Sequence, residues 1–298
     1  MPEPMTALQI FLAMRKNNPS ALKAAIRNKK YWHARIDGEL QSIYEEISRR
    51  NEKLYQTYQR AYENMNNEMA AFIRKHGEDG MISRSEYYAY SRNLDLIENM
   101  RKELEKVGYA EVDFMEDSLT RAYKESYKAI GKDLNIILDQ ARKFNSVPVA
   151  NLERALRLNI QNKHFSDRIW ANKGKALSRI QETLEDAIAQ NMSYDQASRL
   201  LAERMNVSYS DAERLVSTEM NHIITQAEAD SFEEYGLKRY EIIAVMDSRT
   251  TEICRTFDGK EFNLSDRSPG INAPPFHVRC RTTIAPAIDW GSADIPEE

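Results

Sequence analysis

GELQSIYEEISRRNEKLYQTYQRAYENMNNEMAAFIRKHG, residues 38–77, decides the fold of this 298-residue chain. Leu40, Ile43, Tyr44, Ile47, Leu54, Tyr55, Tyr58, Tyr62, Met65, Met69 and Phe72 recur mostly at steps of three and four, with Glu, Lys, Arg and Asn elsewhere. That is one face of an α-helix about ten turns long. No single small core can wrap such a helix, so it requires a partner lying along it in coiled-coil fashion. A segment from about Val112 to Phe144 supplies one, with Met115, Leu119, Tyr123, Tyr127, Ile130 and Leu134 on its stripe.

Working outward, the spacing predicts a further helix from about Ser83 to Val107, with Ser83 and Glu86 as its capping box and Gly108 as its stop. Shorter helices are expected near Val149–Leu158, Asp167–Gln190 and Tyr194–Met205, with Ser166 and Ser193 as N-caps of the last two. Ser210 and Glu213 read as another capping box, opening a helix that runs to Tyr235 and stops at Gly236. After Gly236 the chemistry changes. Tyr240–Met246 is short and β-branched, a strand, and Thr282–Ile284 is a second. Proline follows the same division: none lies between Pro19 and Pro148 or between Pro148 and Pro269, and five of the nine lie at or beyond Pro269. The expected fold is mainly α. An elongated N-terminal helical region with long antiparallel helices fills 1–190, a small α+β domain fills 191–290, and a tail spans 291–298.

The formal net charge is −4, so no global basicity marks a nucleic-acid binder. The charge is uneven, however. Arg15–Arg35 holds seven Lys or Arg and no acid, and Asn151–Ile180 holds seven against Glu153 and Asp167. Such faces usually solvate helices. The alternative is a DNA or partner-protein contact, and Lys163, Arg168, Lys173 and Lys175 are the residues to make it. No apolar run is long enough to cross a bilayer, and Ala7–Met14 precedes its basic residues, the wrong order for a signal peptide. Two cysteines make no disulfide framework, which fits folding in a reducing cytoplasm. The 15 tyrosines suit thin helical layers and subunit contacts, because the ring buries while the hydroxyl stays wet.

The densest chemistry lies in Asp247-Ser248-Arg249-Thr250, Cys254, Asp258-Gly259-Lys260-Glu261-Phe262 and Pro274-Pro275-Phe276-His277-Val278-Arg279-Cys280-Arg281. Cys254, His277 and Cys280 offer three ligands to a structural zinc, with Asp247 or Asp258 as a fourth. A structural site normally shows four clear Cys or His ligands. The expectation is therefore a metal-free knot of packed thiols, with Arg249 and Arg281 bonded to carbonyls or to Asp247 and Asp258, and no cofactor. Glu219, His222, Asp247 and His277 could form an acid/base or metal constellation. Yet there is no phosphate loop, nucleophile elbow or nuclease-like carboxylate array, and no enzyme is expected.

The order Asp-x-Arg-Thr, Cys, Asp-Gly-Lys-x-Phe, Pro-Pro-x-His and Cys-Arg resembles the Mu F-like head-morphogenesis family of phage minor capsid proteins. Thr218-Glu219 followed by Asn221 is similar to that family's Arg-Thr-Glu helix, with Ser217 in place of the Arg. Phe165–Trp170 and Tyr31-Trp32-x-x-Arg35 resemble the subgroup from phages of Gram-positive hosts, so the matching motifs run from about Tyr31 to Pro286. Thr251 and Thr282 stand where fuller members have cysteine, which removes two metal ligands. Some members carry an appended toxin domain, and none is expected in a chain ending about a dozen residues past the motif. The resemblance implies a low-copy virion protein of the head interior or portal region, assembled in the host cytoplasm. Its implied partners are the portal protein, major capsid or scaffold protein, and double-stranded DNA. One rival reading is a DNA-binding internal protein ejected from the head; the other is a metal-dependent hydrolase centred on His277.

Overall fold

A computed structural model describes residues 29–78, 81–82, 90–138, 147–160, 163–190 and 192–288. Among these are six α-helices: α1 (Lys29–His76), α2 (Tyr90–Ile137), α3 (Val149–Leu156), α4 (Phe165–Ala189), α5 (Tyr194–Glu234) and α6 (Glu252–Phe257). Two-residue strands β1 (Gly77–Glu78) and β2 (Met81–Ile82) pair antiparallel after α1. Strands β3 (Arg239–Ile243), β4 (Glu261–Asn263) and β5 (Thr283–Pro286) form an antiparallel sheet in the order β4-β3-β5. The chain is therefore mainly α with a small C-terminal sheet, as its periodicity predicts. The tail 291–298, the Ala7–Met14 run, the Ser83–Glu86 cap and most of the basic stretch 15–35 lie outside the described residues.

Contacts divide the chain into two units, each assembled from separate segments. One comprises 47–117 and 159–216, the other 1–46, 118–158 and 217–298. In the first, α1 and α2 run antiparallel: Arg50 bonds Asp117, Tyr58 bonds Glu111, and Asn64 donates to Glu103 at 2.9 Å. The start of α5 also opposes α1, with Tyr62 and Ser198 hydroxyls 3.0 Å apart and Asn66 donating to Tyr194 at 2.7 Å. Tyr58, Met65, Met69, Met100, Leu104, Ile180, Leu184, Leu201 and Met205 form the core between these helices and α4. The stripe read from residues 54–72 is thus the buried one.

Helix ends depart from expectation in instructive ways. The segments expected at 83–107 and 112–144 are one helix through Gly108. That residue is no stop: a Cβ there would lie 2.7 Å from the Trp170 ring, so the missing side chain lets α4 press its indole against α2. Ser210 and Glu213 lie inside α5, where Asp211 instead accepts from Arg214 at 2.7 Å. The cap of α5 is Ser193, whose hydroxyl accepts from the Gln196 N–H at 3.4 Å while the Gln196 side chain accepts from the Ser193 N–H at 2.9 Å. His164, not Ser166, caps α4, through Nδ1 to the Ser166 N–H.

Within this unit Lys173 is 4 % exposed, and so is Glu111. The ammonium lies 3.0 Å from the Glu111 carboxylate and also reaches the Tyr58 hydroxyl. Burial pushes the Glu111 carboxyl up and the Lys173 amine down, and each partner's charge opposes that shift.

In the other unit, α5 from Ser217 onward lies parallel to the end of α2. Tyr123 donates to Asp230 and Tyr127 to Glu234. Arg154 of α3 reaches the same Asp230 at 2.7 Å. Tyr235, beyond the last turn of α5, sets its hydroxyl 2.9 Å from the Gly131 carbonyl.

Gly108→Ala should lower stability by about 1–3 kcal/mol through overpacking against Trp170. Gly174→Ala, where no neighbour lies within 4 Å, should raise it by up to about 1 kcal/mol. Denaturant melts of the two variants would show opposite shifts. Lys173→Met alone should cost about 3–5 kcal/mol by leaving Glu111 buried without its countercharge, and adding Glu111→Leu should restore most of it. A double variant as unstable as the single one would overturn that account.

Candidate functional site

The motif cluster of the sequence closes into a knot at the end of the three-stranded sheet. Strand β3 runs out at Ile243, and Ala244 buries beside Cys254, Cys280 and Phe276. The Asp-x-Arg-Thr segment then turns on its own side chains. Asp247 accepts from the Arg249 N–H at 2.8 Å, while the Thr250 hydroxyl accepts from the Asp247 N–H at 2.8 Å and donates to the Val245 carbonyl. This turn leads into α6, which carries Cys254. Asp258 closes α6 and accepts from the Ala244 N–H at 3.0 Å. Gly259 follows at φ 76, a left-handed conformation that glycine adopts without penalty, and its N–H returns to the Ile242 carbonyl at 2.8 Å.

The second half of the knot is the loop from His277 to Arg281. The Cys280 N–H bonds the His277 carbonyl at 3.2 Å, and Arg279 sits at φ 56, where a residue other than glycine is strained. Helix α5 holds that conformation in place. The Thr218 hydroxyl accepts from the Arg279 N–H at 3.2 Å, and Asn221 donates to the Thr282 carbonyl at 2.8 Å. On the adjoining strand Thr283 donates to the buried Glu228. The Thr218–Asn221 motif of the sequence thus serves the knot, through the residues on either side of Glu219.

Two halves meet at two places. Arg281 donates to Asp247 at 2.6 Å, and Cys254 Sγ lies 3.8 Å from Cys280 Sγ and 3.1 Å from His277 Nε2. The carbonyl of Val278 sits 2.8 Å from His277 Nδ1. A carbonyl only accepts, so Nδ1 carries a proton and Nε2 faces the thiols. The bond from Cys280 favours the thiolate of Cys254, while that thiolate and burial push the Cys280 thiol up.

Arg249 does not tie the knot as expected. Its side chain is mostly exposed and approaches Asp247 only to 3.5 Å, and Asp258 caps a backbone amide. Arg281 is the arginine that joins the two halves, while Arg255, one turn into α6, braces the first half, donating to the Asp247 carbonyl at 2.9 Å and the Thr250 carbonyl at 3.3 Å. Its position after Cys254 was the available signal. Glu219 and His222 are buried in α5. Among the described residues, the His, Cys, Asp and Glu grouping close enough to share a metal comprises Cys254, His277 and Cys280, without Glu219, His222 or Asp247. Of the four basic contact residues, Lys163 and Lys175 are exposed and Arg168 is half-buried, bonded to the Ile160 carbonyl. Lys173 is withdrawn to Glu111 and offers no charge to the surface, because its place in the helical repeat faces the core.

Residues 178–285 match the family model described as Phage Mu protein F like protein, which supports a Mu F-like phage protein. The match takes in the end of α4, all of α5 and the knot. Tyr31-Trp32-x-x-Arg35 and Phe165–Trp170 lie outside it, so it leaves the Gram-positive subgroup without support. No curated protein and no solved structure matches the chain. No described helix is long and apolar enough to cross a membrane.

The bond from Arg281, aided by the Arg249 N–H and Thr250, holds the Asp247 carboxyl well below the usual carboxylate range. A depressed folded value stabilises the fold fully above the unfolded value, and that stabilisation is lost as pH falls through the folded one. Arg281→Gln should therefore cost the most at neutral pH and progressively less as pH falls below about 4. Melting temperatures of both proteins from neutral pH to strong acid check this, and a constant difference would sink it.

Proposed function

We propose that this chain is a minor capsid protein of a tailed phage, a low-copy component associated with the portal and procapsid that aids head assembly and DNA packaging or delivery. The match of residues 178–285 to the Mu F-like model carries the reading. The knot supports it. Its hydrogen bonds hold two chain segments and α5 together, a structural use of the motif residues. In this reading residues 1–190 contact portal or capsid protein, and 191–290 form the Mu F-like part. The protein works in the virion after assembly in the host cytoplasm.

The DNA-binding reading loses one of its four basic residues to the Lys173–Glu111 pair. Net charge of −4 also opposes retention by DNA at physiological salt. Co-expression with the portal protein of the same phage should yield a complex that survives moderate salt, while binding to duplex DNA is weaker and falls steeply with salt. DNA binding tighter than portal binding under those conditions would reverse the ranking.

A further inference from the structure

The geometry points to a zinc-class divalent ion bound by Cys254 Sγ, Cys280 Sγ and His277 Nε2, with a water or small anion completing the tetrahedron. The three donor atoms all lie within 4.8 Å of one another. With Zn–S near 2.3 Å and Zn–N near 2.0–2.1 Å, a tetrahedral ion separates two sulfurs by about 3.8 Å and a sulfur from a nitrogen by about 3.5 Å. The thiols here stand 3.8 Å apart, and Cys254 Sγ to Nε2 is 3.1 Å, so only the imidazole must shift.

The surroundings are those of a ligand set. His277 Nδ1 bonds the Val278 carbonyl, which fixes the tautomer and aims Nε2 at the sulfurs, the usual orientation of a metal-bound histidine. Arg279 is held in a left-handed turn by Thr218, which brings His277 and Cys280 to the same side of their loop. Cys254 and Cys280 are 2 % and 0 % exposed. In the bound form both sulfurs are thiolates, and two thiolates with one dication make a neutral centre, the form that burial tolerates. A disulfide would need the sulfurs to close to about 2.05 Å.

The three-ligand count, an argument against zinc in the sequence alone, has a structural answer. A cavity of about 20 Å3 adjoins the site, lined by Cys254 and His277 together with Thr250, Arg249, Arg279 and Arg281. That is room for about one water. The arginines favour an anion there, and Thr251 stands in the cavity wall.

The proposal is tested on the full-length chain alone, so its outcome is separate from that of the portal experiment. Protein purified under reducing conditions without chelator should carry about one zinc per chain. Cobalt in its place should give the thiolate charge-transfer and tetrahedral ligand-field bands. His277→Ala and Cys280→Ser should each weaken zinc at least about tenfold in competition with a chromophoric chelator. Chelator-stripped wild-type protein, checked by circular dichroism, supplies the same comparison should a variant fail to fold. Bound zinc should also shield two thiols from alkylation. Two thiols that stay reactive after zinc addition, a Cys254–Cys280 disulfide in the isolated protein, or cobalt without those bands would each overturn it.

Discussion

A buried hydrogen-bonding group left unpaired costs about 1–3 kcal/mol, and α5 from Ser217 onward buries a row of them. Thr218, Asn221, Gln226, Glu228, Asp230 and Ser231 are all buried on the same helix. Each dictates what lies against it. Thr218 takes the Arg279 amide, Asn221 the Thr282 carbonyl and Glu228 the Thr283 hydroxyl; Gln226 takes Arg267, and Asp230 takes Tyr123 and Arg154. The sheet, the knot and α2 are arranged around that row because nothing apolar could satisfy it. This is also why a helix of low amphipathicity sits at the centre of its unit.

The other unit is built on the opposite principle. Its core is apolar, with methionines and leucines at helical spacing, and it tolerates one buried ion pair, Lys173 with Glu111. An apolar core accepts several side chains of similar volume, whereas a polar row accepts few. The Mu F-like match begins in the last turns of α4 and covers the whole of the polar row. The match thus takes in all of the polar row together with residues 178–216 of the apolar unit.

Legibility in the sequence followed the range of the interactions involved. The stripe from Leu54 to Phe72 was readable because helical burial repeats every three or four residues. Strand β3 was readable from Ile242 and Ile243 after the Gly236 stop. Gly108 was misread because its role depends on Trp170, sixty-two positions away, and a local rule sees only a helix breaker. Ser210 and Glu213 had the spacing of a cap but not the chain end that a cap needs. At the site, the knot residues stood out as an ordered motif. Arg281 was readable as its tie to Asp247, but the bracing by Arg255 was hidden, since Arg249 and Arg255 differ only in where the turn and α6 point them. The inward turn of Lys173 was hidden likewise, as a charge predicts solvent until a buried carboxylate is known to face it.

The tyrosine–carboxylate pairs between α2 and α5 have a consequence for alignment. Tyr123 meets Asp230 and Tyr127 meets Glu234, a step of four residues on both helices. Sliding α5 by one turn toward its own N-terminus would bring Glu234 opposite Tyr123 and leave Tyr127 facing the end of the helix. Sliding it the other way would set Asp230 against Tyr127 and bring the Gln226 amide, in place of a carboxylate, opposite the fully buried Tyr123. Apolar side chains alone would accept either offset, because one turn of leucine resembles the next. The two pairs work as a vernier: both tyrosine–carboxylate bonds close at a single setting, and each wrong setting takes the carboxylate away from one phenol.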